Sequence, residues 1–281
     1  MQARIIERTI IELNEKQKKM LISGWGKETL ENTITESIIY ISDGLRVKGY
    51  ISYPINKSKD KLPCIMWNRG GIKDRGFIDD FTACGIFGKL ASEGFVVFAS
   101  MYRGSVKGEG EEEFGGVDVN DIINLADAAI EIPYADTSLW GIEGWSRGGM
   151  MTFLVLRRDP RFKVAVVTGA ISDLTTRASE DNSFTEFFTE VLPDPATLEQ
   201  ELAKRSCVNF VNELPKIPYL IMHGTNDTVV SPSQSLVLAQ KLQDLKHYYR
   251  LIMFENGDHF LKHFRREVDQ HKINWFKKYL S

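Results

Sequence analysis

The chain is short of the residues that mark several large classes of protein. It has three cysteines in 281 residues (Cys64, Cys84 and Cys207), too few and too scattered for a disulfide framework. Cys64 falls inside an apolar run and reads as a core residue. No stretch of about 18 apolar residues occurs, so no transmembrane helix and no membrane partner are expected. Residues 1–19 carry charges throughout and have no apolar h-region, so no secretory leader is read and a cytoplasmic location is expected. The basic surplus of a nucleic-acid binder is missing too: 35 Lys and Arg stand against 38 Asp and Glu, a net charge of −3. There is no G-x-x-x-x-G-K-[ST]. The glycine-rich run from Gly104 to Gly116 fails the G-x-G-x-x-G spacing because Glu113 stands at the third glycine, and its acidity would repel a phosphate. Only five histidines are present. His259 and His263 lie four apart but lack the further ligands of a metal site, and no His-Glu-x-x-His occurs. No metal or organic cofactor is expected.

What is present is enough apolar material, 43% of residues, for a sizeable core. Residues 1–35 are charged and amphipathic. Ile5, Ile6, Ile10 and Ile11 recur at helical spacing, as do Leu21 and Ile22, which predicts an N-terminal helical extension at the domain edge or against a second copy in a homo-oligomer. Residues 37–53 alternate about Ser42-Asp43-Gly44-Leu45, a hairpin signal. Buried strands then follow at 62–67, 95–101, 139–144, 164–168, 219–223 and 248–254. Between and after them lie helical stretches at 81–92, 119–131, 150–156, 231–245 and 260–280. This rhythm predicts an α/β fold over 1–281 as a single domain, with a mostly parallel central sheet of about eight strands flanked by helices. Residues 171–216 break the rhythm. They are polar, with Phe184, Phe187 and Phe188 and two prolines, and read as a small helical cap or lid.

Three short segments carry the chemistry. Gly144-Trp145-Ser146-Arg147-Gly148 places a serine between glycines where a strand gives way to a helix. Strand and helix backbones pass closely at such a turn, so small residues are needed on either side of a nucleophile held there. Asp227 follows the 219–223 strand, in the loop where open α/β sheets place their sites. His259 follows the last strand. The chain order Ser, Asp, His is that of the α/β-hydrolase fold. A serine hydroxyl needs a base to take its proton, and the base needs an acid to orient it. Asn226 lacks the charge for that task, and Asp258, adjoining His259, is poorly aimed. His223 ends a strand and reads as a satisfied structural histidine; His247 and His271 read as surface residues. An oxyanion hole would take the backbone N–H of Arg147 and a second donor from Arg69-Gly70-Gly71, where glycines permit close approach.

From about Gly44 onward these residues resemble the catalytic domain of the prolyl oligopeptidase family of serine peptidases. The resemblance rests on Tyr102-Arg103-Gly104-Ser105, Gly116-Val117-Asp118-Val119-Asn120-Asp121, the serine segment with Gly149, Arg205-Ser206-Cys207 with Asn209-Phe210, and Ile217-Pro218-Tyr219-Leu220-Ile221-Met222-His223-Gly224 with Asp227. It implies Ser146 as nucleophile, Asp227 as orienting acid and His259 as general base. Family members typically carry a β-propeller that gates substrate size, for which this chain has no room. The family often has tyrosine at the positions of Arg69 and Arg147, so here a backbone N–H or the Arg69 guanidinium would serve the oxyanion.

The expected reaction is hydrolysis of an ester or amide through an acyl-enzyme, with a small ester or short peptide as partner. A carboxylesterase is the alternative, and a non-catalytic ligand-binding α/β-hydrolase the alternative of another class. Arg69, Arg103 and Trp145 are candidate substrate contacts. Arg69, Arg103 and Arg147 would suit a substrate carboxylate, unless they pair with Glu109, Glu111, Glu112 or Glu143.

Overall fold

The computed structural model describes residues 4–56, 60–72, 75–105, 108–180, 184, 186–188 and 197–280. Among the described residues nine strands are ordered β1-β2-β3-β5-β4-β6-β7-β8-β9, one more than the sequence pattern predicts. Expected as one domain, the chain divides by its internal contacts into two compact units. One comprises Met1–Glu112, Val117–Gly141 and Leu280–Ser281; the other comprises Glu113–Gly116 and Ile142–Tyr279. Strand β6 (Ala135–Trp145) contributes residues to both.

In the first unit the extra strand is β1 (Ile5–Ile10), where a helix was expected. The reason is partly local and partly tertiary. Ile5-Ile6-Glu7-Arg8-Thr9-Ile10 is rich in β-branched residues. The open edge of β2 (Thr33–Ser42) supplies an antiparallel ladder, with Ile10 opposite Glu36 and Ile5 opposite Tyr40. The expected helices begin only at Glu15. Asn14 Oδ1 accepts from Gln17 N–H and Gln17 Oε1 accepts from Asn14 N–H, each at 3.0 Å. This reciprocal cap starts α1 (Glu15–Trp25), and α2 (Lys27–Glu31) follows Gly26. The hairpin of β2 and β3 (Leu45–Pro54) is as expected. Asp43 and Gly44 take φ of 50° and 83°, the left-handed pair that a two-residue turn of this twist requires.

Strands β4 (Leu62–Asn68) and β5 (Val96–Ser100) pair in parallel, and β5 pairs antiparallel to β3. All five residues of β5 are buried, as a strand covered on both faces demands. Helices α3 (Asp80–Ala91) and α4 (Val119–Ala128) supply the apolar cover. Beneath α4 lies a buried polar network. Asp121, fully buried, accepts from the Arg103 N–H at 2.7 Å, from Arg103 Nη2 at 2.7 Å and from Ser42 Oγ at 2.5 Å. Arg103 Nη2 also reaches Asp43 Oδ2 at 2.8 Å. The network ties the Tyr102-Arg103-Gly104-Ser105 loop to the β2–β3 turn.

The second unit runs through α5 (Arg147–Arg158), β7 (Phe162–Thr168), β8 (Tyr219–Gly224), α8 (Ser233–Asp244), β9 (Tyr249–Phe254) and α9 (Arg265–Tyr279). β7, β8 and β9 pair in parallel, with Ala165 opposite Tyr219 and Tyr219 opposite Tyr249. Between β7 and β8 stand α6 (Leu174–Glu180) and α7 (Leu198–Arg205), with short 3-10 turns at Cys207–Asn209 and Val211–Glu213. Parts of the expected cap, 181–183, 185 and 189–196, lie outside the described residues. Phe184, Phe187 and Phe188, within the expected cap, are helical. Their rings meet Phe114 edge-on at centroid distances of 5.6, 5.6 and 5.1 Å. Arg205 Nε donates to the Phe114 carbonyl at 3.1 Å. Among the described residues no helix is long and apolar enough to cross a membrane.

The buried Asp121–Arg103 pair leads to a stability prediction. Asp121→Asn keeps the volume but strands a buried guanidinium. Removing one partner of a buried ion pair costs about 3–5 kcal/mol. Urea unfolding of the variant should show a loss near the lower bound, since Asp43 still contacts Arg103; a midpoint equal to wild type would mean that the network holds nothing.

Candidate active site

Strand β6 ends at Trp145 and α5 begins at Arg147, so the turn between them is Ser146 alone. Its φ of 58° is positive, a strained state for a residue with a side chain, and strain of this kind costs on the order of 1–3 kcal/mol. Backbone bonds hold it. Ser146 N–H donates to Thr168 O at 2.9 Å, and Ser146 O accepts from Gly149 N–H at 2.9 Å and Ile171 N–H at 3.3 Å. The glycine before it is obligatory: a Cβ on Gly144 would lie 2.0 Å from the Gly148 carbonyl oxygen.

Asp227 and His259 come from the loops after β8 and β9. These loops meet so closely that a Cβ on Gly224 would lie 2.2 Å from Gly257 O. Asn226 N–H donates to Gly257 O at 3.0 Å, and Asn256 N–H to Thr225 Oγ1 at 2.9 Å. The Asp227 carboxylate then accepts on both oxygens. Val229 and Val230 N–H donate to Oδ1 at 2.8 and 2.9 Å. His259 Nδ1 lies 2.7 Å and His223 Nε2 3.0 Å from Oδ2. Burial pushes this carboxyl up, but the bonds from His223, His259 and the Val230 N–H outweigh burial and hold it well below the usual carboxylate range.

With Nδ1–H of His259 directed at Asp227, the lone pair is left on Nε2, the form a general base requires. The imidazole packs on Gly169, where a Cβ would come within 3.4 Å of Nδ1. Gly169 adjoins Thr168, whose carbonyl holds the Ser146 N–H. On the other flank the Trp145 indole N–H donates to His259 O at 3.0 Å. Both neighbours of the elbow thus reach the histidine loop.

The remaining sequence candidates have partners of their own. Arg69 is fully buried, with Nη2 2.7 Å from Glu112 Oε2, Nε donating to Met101 O and Nη1 to Gly70 O. Arg103 is held by Asp121 and Asp43. The pairing alternative holds for Arg69 with Glu112, while the partners of Arg103 are aspartates, Asp121 and Asp43, rather than glutamates. Trp145, expected against substrate, directs its N–H to the His259 loop instead. The Arg147 side chain is buried, its guanidinium 4.4 Å from the centre of the Phe114 ring. Asp258 accepts from the Lys262 N–H of its own loop at 3.1 Å, which agrees with its rejection as orienting acid. His223 is the residue sequence reading undervalued. It does contact a site residue, and nothing in its type or spacing signals this, because the contact depends on how the loop folds back over the end of β8.

The depressed titration of Asp227 fixes a direction for acid stability. Its folded value lies below the unfolded value of about 3.9. Its contribution is therefore full above that pH and is lost as pH falls toward and through the folded value. Asp227→Asn should flatten the fall in unfolding free energy below about pH 4, measured by urea titrations in steps from pH 5 downward. Parallel profiles for the two proteins would contradict the assignment.

Comparison with known proteins bears on the family and the fold. The model of the prolyl oligopeptidase family matches residues 86–281. The chain is 31% identical over 245 residues to YtmA, an uncharacterised peptidase of Bacillus subtilis (strain 168), covering 86% of this chain and 92% of that one. It is 28% identical over 288 residues to YuxL, a second uncharacterised peptidase of that organism, covering 94% of this chain and 42% of that one. Among solved structures, Pyrococcus horikoshii acylaminoacyl peptidase is similar with a TM-score of 0.73 at 24% identity, over 95% of this chain and 43% of that one. A puromycin-hydrolyzing peptidase of Mycobacterium tuberculosis is similar with a TM-score of 0.71 at 24% identity, over 88% and 40%. The chain therefore spans nearly all of YtmA and about two fifths of the other three. The solved structures bear on the fold, which is that of the α/β-hydrolases. With its family model matched from Ile86 to the C-terminus, the chain belongs to the prolyl oligopeptidase family, and with it to the serine-type peptidases.

Proposed function

We propose that Ser146, His259 and Asp227 form the catalytic triad of this peptidase, acting on short peptides or small acyl amides and esters. The observation that carries the reading is the 2.7 Å bond from His259 to an ionised Asp227, in loops joined to the strained Ser146 turn. His259 Nε2 takes the proton as Ser146 Oγ attacks the carbonyl carbon. Asp227 stabilises the imidazolium and keeps Nδ1 protonated. The backbone N–H of Arg147, first residue of α5, donates to the developing oxyanion. The Arg69 guanidinium, tied to Glu112, is not offered as a donor. Collapse of the tetrahedral intermediate breaks the bond to the amine or alcohol, which leaves with the proton from His259. Water then attacks the acyl-enzyme by the same route.

The surroundings favour an apolar acyl or side-chain group. Phe184 and Phe187 are half-buried against Phe114, which lies beneath the Arg147 guanidinium. The carboxylate-bearing substrate loses its support, because Arg69 and Arg103 are already ion-paired.

A panel of p-nitrophenyl esters and aminoacyl or acylaminoacyl amides, with fluorophosphonate labelling, tests this. Labelling should map to Ser146, and Ser146→Ala should lower kcat by about 10^4-fold or more. Amides with apolar groups should be cleaved. Turnover of esters alone would favour the carboxylesterase reading, and a label at another serine would reject the triad.

A further inference from the structure

We propose that His223 is a positioning residue for the Asp227–His259 pair, sharing the Oδ2 atom of Asp227 and thereby setting how strongly the carboxylate holds the His259 proton. The inference rests on the triad reading given above. His223 is fully buried at the end of β8. Its Nε2 lies 3.0 Å from Asp227 Oδ2 and 3.0 Å from the Val230 carbonyl oxygen. A carbonyl only accepts, so Nε2 carries a proton, and that proton is directed at the carboxylate as well. Nδ1 lies 2.7 Å from Ser235 Oγ, a hydroxyl able to donate to it. Every polar atom of the ring is thus engaged, and the ring cannot turn without breaking at least two bonds.

Two consequences follow for Asp227. The carboxylate plane is fixed, with the Val229 and Val230 N–H groups on one oxygen and two imidazoles on the other. The oxygen that orients the base is also divided between two donors, which makes it a weaker acceptor toward His259 than a lone aspartate oxygen would be. The Ser235 hydroxyl, donating to Nδ1, strengthens the far-side N–H and so acts through the ring. Among the described residues, the segments about the pair carry the following groups. Asp258 and Lys262 lie on the His259 loop with each other, Asp173 beyond β7 is bonded to Thr176, and α8 presents Gln234 and Ser235.

The test compares wild type, His223→Leu, His223→Gln and Ser235→Ala. Profiles of kcat/KM against pH on a p-nitrophenyl ester are read beside thermal unfolding and the far-downfield proton resonance of His259 Nδ1–H. Removing the His223 donor leaves Oδ2 to His259 alone, so the imidazolium is held more firmly. The acid limb of His223→Leu should move up by about one pH unit, with the resonance further downfield. Ser235→Ala should move both in the same direction by less, and His223→Gln, which keeps a donor, should stay near wild type. A purely structural His223 would lower the melting temperature and leave limb and resonance in place. Superimposed limbs and an unmoved resonance in every variant that folds overturn the inference; should His223→Leu not fold, Ser235→Ala decides alone. Wild type that neither turns over nor takes the fluorophosphonate label would reject the triad instead. The resonance, which needs no turnover, would still decide whether His223 acts on the pair.

Discussion

The Asp227 carboxylate is the constraint around which the second unit is organised. It is a buried charge, and an unpaired buried charge is costly enough that the group would otherwise neutralise. Four N–H groups keep it ionised: two from its own loop, one from the end of strand β8 and one from the loop after β9. Because the donors come from separate segments, the charge fixes those segments relative to one another. The close backbone approach of Gly224 and Gly257 makes the arrangement possible, since any side chain at Gly224 would separate the loops that bring acid and base together.

Ser146, the proposed nucleophile, is positioned by a different principle. Ser146 is held in an unfavourable backbone state because strand and helix follow each other without a loop. The Thr168 carbonyl and the Ile171 N–H lock that state from the neighbouring strand's end. Strain persists only where surrounding bonds over-determine it. Here they are backbone bonds, so they do not depend on which side chains occupy β7. The same stretch of chain, Thr168 to Gly169, also forms the floor under the His259 ring. One short segment therefore registers His259 and Ser146, the proposed base and nucleophile, together.

Much of this was legible before any coordinates. Strict small residues about Ser146, an acid after one strand and a histidine after the last were visible as spacing, and the parallel strands were visible as apolar runs. The failures share a physical cause. Ile5, Ile6 and Ile10 fit a helical period, yet their β-branched character and the free edge of β2 made a strand, and a free edge is a tertiary fact that no local pattern contains. The Asn14–Gln17 cap was a local signal that marked the true helix start. The partners of Arg103 were not legible because Asp121 stood out only as part of a helix and of a resemblance motif, and Asp43 only as a turn residue. His223 was judged by its place at the end of a strand. Its bond to Asp227 depends on a loop that folds back over four residues.

The arginines show why residue type near a site is weak grounds for reading a substrate. Arg103 lies in a segment that carries the family resemblance and Arg69 beside the expected oxyanion loop, and cations there invite a picture of anion recognition. Both are almost wholly buried, and each faces a carboxylate within 2.7 Å. A guanidinium so placed cannot be offered to a ligand without leaving the aspartate or glutamate charged and dry, a cost of several kcal/mol. Their work is to hold loops. Arg147 is withdrawn in another way, lying over the Phe114 ring, which belongs to the same aromatic cluster as the cap phenylalanines. With these cations assigned to structure, the proposed preference for an apolar group rests on the rings of Phe114, Phe184 and Phe187 rather than on charge.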